Sequence, residues 1–259
     1  MEFNYEKLIV EQEGMVVTAA INHPPANAMG QGVLRDLNDL LDKCENDDSV
    51  RVIIITGSGR FFSAGADITE FAELQAGKVP KYDGNEIYFK IENYPKVIIA
   101  AINGGAYGGG LELACVCHLR IMSETATCGL PEVKLGLNPG WGGTQRLPRI
   151  IGQTKALELM LTGDFMSAQE AYNRGLLNKV VPQDKVLEEA KALAKRLADG
   201  APLAQREIMK AVKLGMETNI RAGVLGIERA ASKALQFSED FKEGSRAFLE
   251  KRKPVFKGR

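Results

Sequence analysis

Two β-rich runs open the chain, KLIVEQ and MVVTAAIN, and Glu13-Gly14 separates them, so residues 7–22 predict a hairpin. Residues 31–43 place Val33, Leu34, Leu37, Leu40 and Leu41 at helical spacing, which predicts a helix with one apolar stripe. RVIIITG at 51–57 is a continuous apolar run, the pattern of a strand buried on both faces. A glycine-containing loop follows it, and a helical segment is expected near Ile68. The order then recurs, with a helix around 85–93, a strand at 96–102, a glycine loop at 104–110, a helix at 111–117 and a strand at 118–123. Such alternation predicts an α/β fold with crossover connections. From Asp184 the pattern becomes helical, with EEAKALAKRLADG closed by Gly200 and a new helix opening at Pro202. The chain therefore divides into an α/β core over residues 1–200 and a helical tail over 201–259. The recurring unit of strand, glycine loop and helix suggests a superhelical or layered core.

At 259 residues the chain can bury a large core. Its Lys+Arg and Asp+Glu counts are both 33, and the balance argues against a nucleic-acid partner while leaving room for a local basic patch. Cys44, Cys115, Cys117 and Cys128 show no metal-ligand spacing, so no metal site is expected and reduced thiols of a cytoplasmic protein are the reading. The N-terminal MEFNYEKLIVEQEG is too charged for a signal peptide. Val97–Cys117 approaches the length of a membrane span, but its glycines and Glu112 point to buried soluble structure, and no membrane partner is expected.

Candidate chemistry concentrates in GGAYGGGLELA at 104–114. A strand ends, glycines follow and a helix begins, which is how a backbone presents unpaired N–H groups to an anion or to an oxygen that becomes anionic. Close helix–strand packing explains the same glycines equally well, and no nucleotide-binding motif is present. RVIIITGSGRFFSAGADI at 51–68 repeats the logic, so two loops could each offer one N–H to a single oxygen. Glu112 sits in the first turn of a helix that is apolar on nearly every side, and a carboxylate buried there needs a partner or a task. Glu132, in GLPEVKLGLNPGWGG, is the second candidate carboxylate, although a surface position on a loop fits it as well.

SAGADI (63–68), INGGAYGGGLELA (102–114), LPEVKLGLNPGWGGTQRLPR (130–149) and AFLEKRKPVFKGR (247–259) together resemble the crotonase superfamily, specifically the enoyl-CoA hydratases, over essentially the full length. The resemblance implies a crotonase-like superhelix of ββα units followed by a C-terminal helical oligomerisation region, and hence a homotrimer or a homohexamer. It implies oxyanion N–H groups at Ala66 and Gly109, an acid/base pair at Glu112 and Glu132, and a water-positioning role for Gly140. Coenzyme A contacts are implied for Ala64, Asp67, Ile68, Phe248 and Lys251, the last two in some members across a subunit boundary. Coenzyme A is then part of the substrate, and no separate cofactor or metal is implied. Some positions depart from the common pattern. Cys128 and Leu130 replace the usual Phe and Gln of FGQPE, His118 stands where Asp is frequent and reads as structural, and NHPPANAM (22–29) lacks a lysine that many relatives carry. Trp141 follows Gly140 where smaller residues or Phe are common, and it is expected to narrow the acyl pocket and favour crotonyl to hexenoyl chains.

The leading expectation is hydration of 2-enoyl-CoA to 3-hydroxyacyl-CoA, as in fatty-acid β-oxidation. The alternatives are another reaction of the superfamily (isomerisation, decarboxylation or thioester hydrolysis) and a non-catalytic RNA-binding or scaffold paralogue. Retention of both glutamates favours the hydratase.

Overall fold

The computed structural model describes residues 3–259, apart from the side chains of residues 73 and 74, and Met1 and Glu2 of the charged N-terminal segment lie outside the described residues. β1 (Leu8–Glu13) and β2 (Val16–Ile21) form the expected antiparallel hairpin. α1 (Gln31–Glu45) buries the predicted stripe. β3 (Val52–Gly57) then pairs parallel with β2. β4 (Phe61–Ser63) leaves that sheet, and α2 (Phe71–Gln75) and α3 (Gly84–Glu92) return the chain. β5 (Val97–Ile102), β6 (Gly105–Tyr107) and α4 (Gly109–Val116) repeat the pattern, and β7 (Leu119–Ser123) and β8 (Thr127–Gly129) begin it a third time. α5 (Gly143–Ile151), α6 (Gln153–Thr162), β9 (Met166–Ser167), α7 (Ala168–Asn173), β10 (Lys179–Val181) and α8 (Val186–Ala198) complete the core.

One sheet runs β1-β2-β3-β5-β7-β10 and the other β4-β6-β8-β9. Each ββα unit thus gives its first strand to the large sheet and its second to the small one, the superhelix the resemblance implied. Alternate side chains of β3 and β5 point to opposite faces, as a strand period of two requires. Ile53, Ile55, Ile98 and Ala100 join the larger core with α1 and α4. Val52, Ile54, Val97 and Ile99 meet Ala190 and Ala194 of α8 on the other face. Burial on both faces explains why these strands read as continuous apolar runs.

Two expectations need correction. The segment 104–110 is not all loop, because β6 lies within it, and the following helix starts at Gly109 rather than at residue 111. Three-residue strands are too short for any periodicity to reveal them.

α9 (Pro202–Met216) opens the tail, with Pro202 at the start of the helix as expected, and none of its residues is buried in the single chain. α10 (Ile220–Ala222), a π-helical stretch at Gly223–Glu228, α11 (Arg229–Leu235) and α12 (Glu239–Leu249) follow. Arg51 ties tail to core, donating to the Ala198 and Phe256 carbonyls at 2.8 and 2.5 Å. No helix among the described residues is long and apolar enough to cross a membrane.

Candidate active site

The second strand of each repeat ends at the same place, and three loops meet there. The first, after β4, is held by the NHPPANAM segment. The Ala64 N–H donates to the Ala26 carbonyl at 3.0 Å, and the Met29 N–H donates to the Gly65 carbonyl at 2.7 Å. Asn27, buried, ties the same segment to the Ser58 and Phe61 carbonyls at 2.9 and 2.8 Å. The second loop leads into α4 through Gly108, whose φ of +49° favours glycine and whose missing side chain would stand 2.8 Å from Glu132 Oε1.

These restraints bring Ala66 and Gly109 together. A Cβ on Gly109 would lie 3.4 Å from the Ala66 nitrogen, and one on Gly65 would lie 3.5 Å from the Gly109 nitrogen. Neither N–H has a hydrogen-bond partner among the described residues. Gly109 opens α4, so its N–H is one of those a helix leaves unpaired. Tyr88 of α3, fully buried, donates to the Gly109 carbonyl at 2.7 Å and fixes the orientation of that peptide.

Glu112 is 2% exposed and lies in the first turn of α4. Its Oε1 accepts the Trp141 N–H at 2.8 Å and the Gly143 N–H at 2.7 Å. Burial pushes its carboxyl up to about 7, the charge of Glu132 adds to the rise, and the two N–H donors and Arg146 oppose it. Glu132 begins a 3-10 turn at Glu132–Leu135, and burial raises its carboxyl too. Its Oε2 is buried without a hydrogen-bond partner among the described residues. The surface-loop alternative for Glu132 is thereby set aside: an acceptor-only oxygen out of water with no donor costs free energy, and a water or substrate proton relieves it.

A stability consequence follows from the sign of the Glu112 shift. The folded chain binds this proton more tightly than the unfolded chain does. The carboxyl therefore favours the fold fully below its ordinary 4.5, and the advantage is lost as pH rises through about 7. Glu112→Gln keeps an oxygen for both N–H donors and removes the charge. It should unfold at higher denaturant than the parent above pH ~8, by up to about 3 kcal/mol, and match it near pH ~4. Equal stability at the higher pH would mean that the carboxylate is not a burden to the fold.

Trp141 lies across the site. Its indole occupies the space a side chain at Gly109 or at Gly84 would need, each at 2.6 Å, and its ring meets Tyr88 edge-on at 5.4 Å. It also lines a cavity of about 550 Å³ that runs from Ala66 past Met29, Phe71 and Tyr82. Gly140 is exposed on the turn just before it. Leu130 is buried and packs near Gly143, and Cys128 is buried within β8 of the small sheet.

Other candidate positions divide. Ala64 and Ile68 are exposed on the rim of the first loop. Asp67 caps the turn that follows, accepting from the Thr69 N–H at 3.0 Å and its hydroxyl at 2.7 Å. Phe248 lines a separate apolar cavity between α9 and α12, and Lys251 is exposed just beyond α12 with φ +54°. His118 accepts the Ile98 N–H on Nδ1 at 2.9 Å, and burial lowers its imidazole to about 4. It is a neutral member of a backbone network, the structural role expected for it.

Sequence reasoning missed Tyr88, Asn27, Gly84 and Arg146. Arg146 donates to the Trp141 carbonyl at 3.0 Å, so it touches the turn that holds Glu112. Nothing short-range marks their importance, since each also acts on a partner more than twenty positions away.

The enoyl-CoA hydratase/isomerase profile matches residues 11–259. A Bacillus subtilis protein described as a probable enoyl-CoA hydratase is 46% identical, with 98% of this chain and 99% of that one covered. The crotonyl-CoA hydratase of Syntrophomonas wolfei is 42% identical, with 97% and 98% covered. Among solved structures, an enoyl-CoA hydratase from Bacillus anthracis superposes with a TM-score of 0.92 at 38% identity, covering 98% of this chain and all of that one.

Proposed function

The chain belongs to the enoyl-CoA hydratase/isomerase family, and from that premise we propose how its own residues carry out the reaction. It is an enoyl-CoA hydratase, adding water across the double bond of a 2-enoyl-CoA thioester to give the 3-hydroxyacyl-CoA. The observation that carries the residue assignment is the meeting of Glu112 and Glu132 beside two unpaired backbone N–H groups. The thioester oxygen sits between the N–H groups of Ala66 and Gly109. As water adds to C3, the electrons of the double bond move toward C2 and the thioester oxygen, and this charge is what the two donors stabilise above the ground state. One glutamate takes a proton from the water, the C3–O bond forms, and the other glutamate gives a proton to C2. The two carboxyls act as one coupled pair, both raised by burial, and the charge of Glu132 adds to the rise at Glu112. Gly140 leaves room for the water. Hydration is redox-neutral, so the acid/base pair needs no cofactor, and coenzyme A enters as part of the substrate.

Loss of the conjugated-thioester absorbance on mixing with crotonyl-CoA tests the activity. Activity that moves the double bond without adding water would replace this reading with an isomerase.

The cavity beside Trp141 is the acyl pocket in this reading. Indole fills volume that a long chain would occupy, and each buried methylene is worth about 0.8 kcal/mol, or about fourfold in kcat/KM. Crotonyl-CoA and hexenoyl-CoA are therefore the preferred substrates. Trp141→Ala should gain on decenoyl-CoA relative to crotonyl-CoA, and an unchanged chain-length profile would remove Trp141 as the gate.

Oligomerisation is supported by the tail. Ile208 and Val212 are 60% and 62% exposed, Met216 80% and Phe248 83%, a density of apolar surface that needs a cover. We infer a trimer or a pair of stacked trimers, with Phe248 and Lys251 brought to a neighbouring chain's coenzyme A. Light scattering at micromolar concentration should give the mass of three or six chains, and a monomer would refute the assignment. A cytoplasmic setting is supported by four free, buried cysteines.

A further inference from the structure

The turn that presents the Trp141 and Gly143 N–H groups to Glu112 is itself held from behind. Arg146 sits one turn into α5 and folds back over the start of its own helix, where its guanidinium fills the space of a Gly142 side chain. Nη1 donates to the Trp141 carbonyl at 3.0 Å. Nε and Nη2 make a bidentate pair with Glu92, the last residue of α3, at 2.9 Å each. The guanidinium also lies 5.0 Å from the Phe89 ring, and Lys213 of α9 reaches Glu92 Oε2 at 3.5 Å. Arg146 and Glu92 are largely withdrawn from solvent, with side chains 12% and 25% exposed. A planar fork held on three sides fixes the peptide it touches far better than a single flexible donor would.

We propose that the Glu92–Arg146 pair is a positioning device for hydration: it holds the Trp141 carbonyl, and through that peptide it sets the two N–H groups that orient Glu112. The inference rests on Glu112 being one of the two reacting carboxyls. Neither Glu92 nor Arg146 has a role of its own in the proton transfers. The titratable groups that act on Glu112 are Tyr88 from α3, Arg146 from α5, Glu132 from its 3-10 turn and Cys115 on its own helix, whereas Glu92 of α3 is engaged by Arg146 and Lys213, Tyr107 of β6 turns to Thr127 and Phe165, and β4 brings no titratable side chain. Arg146 is the cation among them, and it favours the ionised carboxyl. Tilting the turn by a fraction of an ångström weakens both hydrogen bonds to Oε1 and misaligns Oε2 on the reacting water.

The test compares Glu92→Gln, Arg146→Lys and Arg146→Met in the full-length protein, with Glu112→Gln alongside, using crotonyl-CoA. Expected for Glu92→Gln is a kcat about tenfold lower with KM within about threefold, since the substrate contacts are untouched. Arg146→Met should lose about a hundredfold in kcat and move the near-neutral inflection of the kcat/KM profile upward, and Arg146→Lys should recover part of the loss. If Arg146→Met does not fold, Glu92→Gln and Arg146→Lys decide by the same readings. Parental kcat and an unmoved inflection in those variants, or losses in KM alone, overturn the proposal. A dead Glu112→Gln beside fully active Glu92→Gln overturns only the positioning role, whereas an active Glu112→Gln overturns the assignment of Glu112 itself.

Discussion

Glu112→Gln and Glu132→Gln each lower kcat by ~10²–10⁴-fold, with KM for crotonyl-CoA within about threefold of the parent. The size comes from what each carboxyl does at the transition state. Proton transfer by a positioned acid or base contributes at that point and little in the ground state, so its loss falls on kcat. Gln at position 112 still offers an oxygen to the Trp141 and Gly143 N–H groups, so the turn stays in place and only the proton chemistry is removed. Gln at position 132 brings an amide that can donate to water, which relieves the unpartnered Oε2 but cannot exchange a proton. Because the two carboxyls act on one proton inventory, the double variant should be scarcely worse than the worse single one. Near-parental hydration by either single variant would exclude that residue from the mechanism. Loss in only one would shift the chemistry toward isomerisation, which one carboxyl shuttling a proton can perform.

Gly109→Ala should cost nearly as much without touching an acid or base. The added methyl would stand 2.6 Å from Trp141 Cζ3 and 3.4 Å from the Ala66 nitrogen. The indole has little freedom to retreat, because its other edge already fills the place of a Gly84 side chain and its ring packs on Tyr88 at 5.4 Å. The strain therefore falls on the peptide whose N–H is proposed to face the thioester oxygen. Removal of one oxyanion donor lowers rates by ~10²–10³-fold, and kcat/KM for crotonyl-CoA should fall in that range. Adding Trp141→Ala to the same chain removes the collision and should restore about tenfold. Parental activity in Gly109→Ala would show that this peptide is not part of the oxyanion site.

Much of this was legible in the sequence because the informative features were local. RVIIITG and KVIIAAI read as buried strands since both faces are covered, and Glu112 read as exceptional since its helix is apolar all round. The four motifs marked the superfamily and pointed to Ala66, Gly109, Glu112 and Glu132. What stayed hidden depends on tertiary contact. β4, β6 and β8 span three residues each and exist only because they pair with one another. Glu132 reads as a loop carboxylate until burial strips its Oε2 of water. Arg146 reads as an ordinary helix cation, and its importance lies in Glu92, 54 residues earlier. Gly84, whose missing side chain leaves the space the indole of Trp141 occupies, carries no local mark of that role.

The ββα order has a consequence for how the catalyst comes into being. Ala66 belongs to the first repeat, Gly109 and Glu112 to the second, and Glu132, Trp141 and Gly143 to the third or the turn after it. The parallel pairing β3–β5 joins Val52 to Val97, and β5–β7 joins Ile99 to Leu119, so the closure entropy of each crossover is met before any part of the site can form. The first repeat alone holds one of the two unpaired N–H groups and neither candidate acid, and the first two hold both N–H groups with an unsupported Glu112. During synthesis or refolding the centre therefore arises late and in a single step, when the third repeat docks. Helical signal should return before hydratase activity does, and a chain interrupted before Gly143 should contain most of its strands and no catalyst.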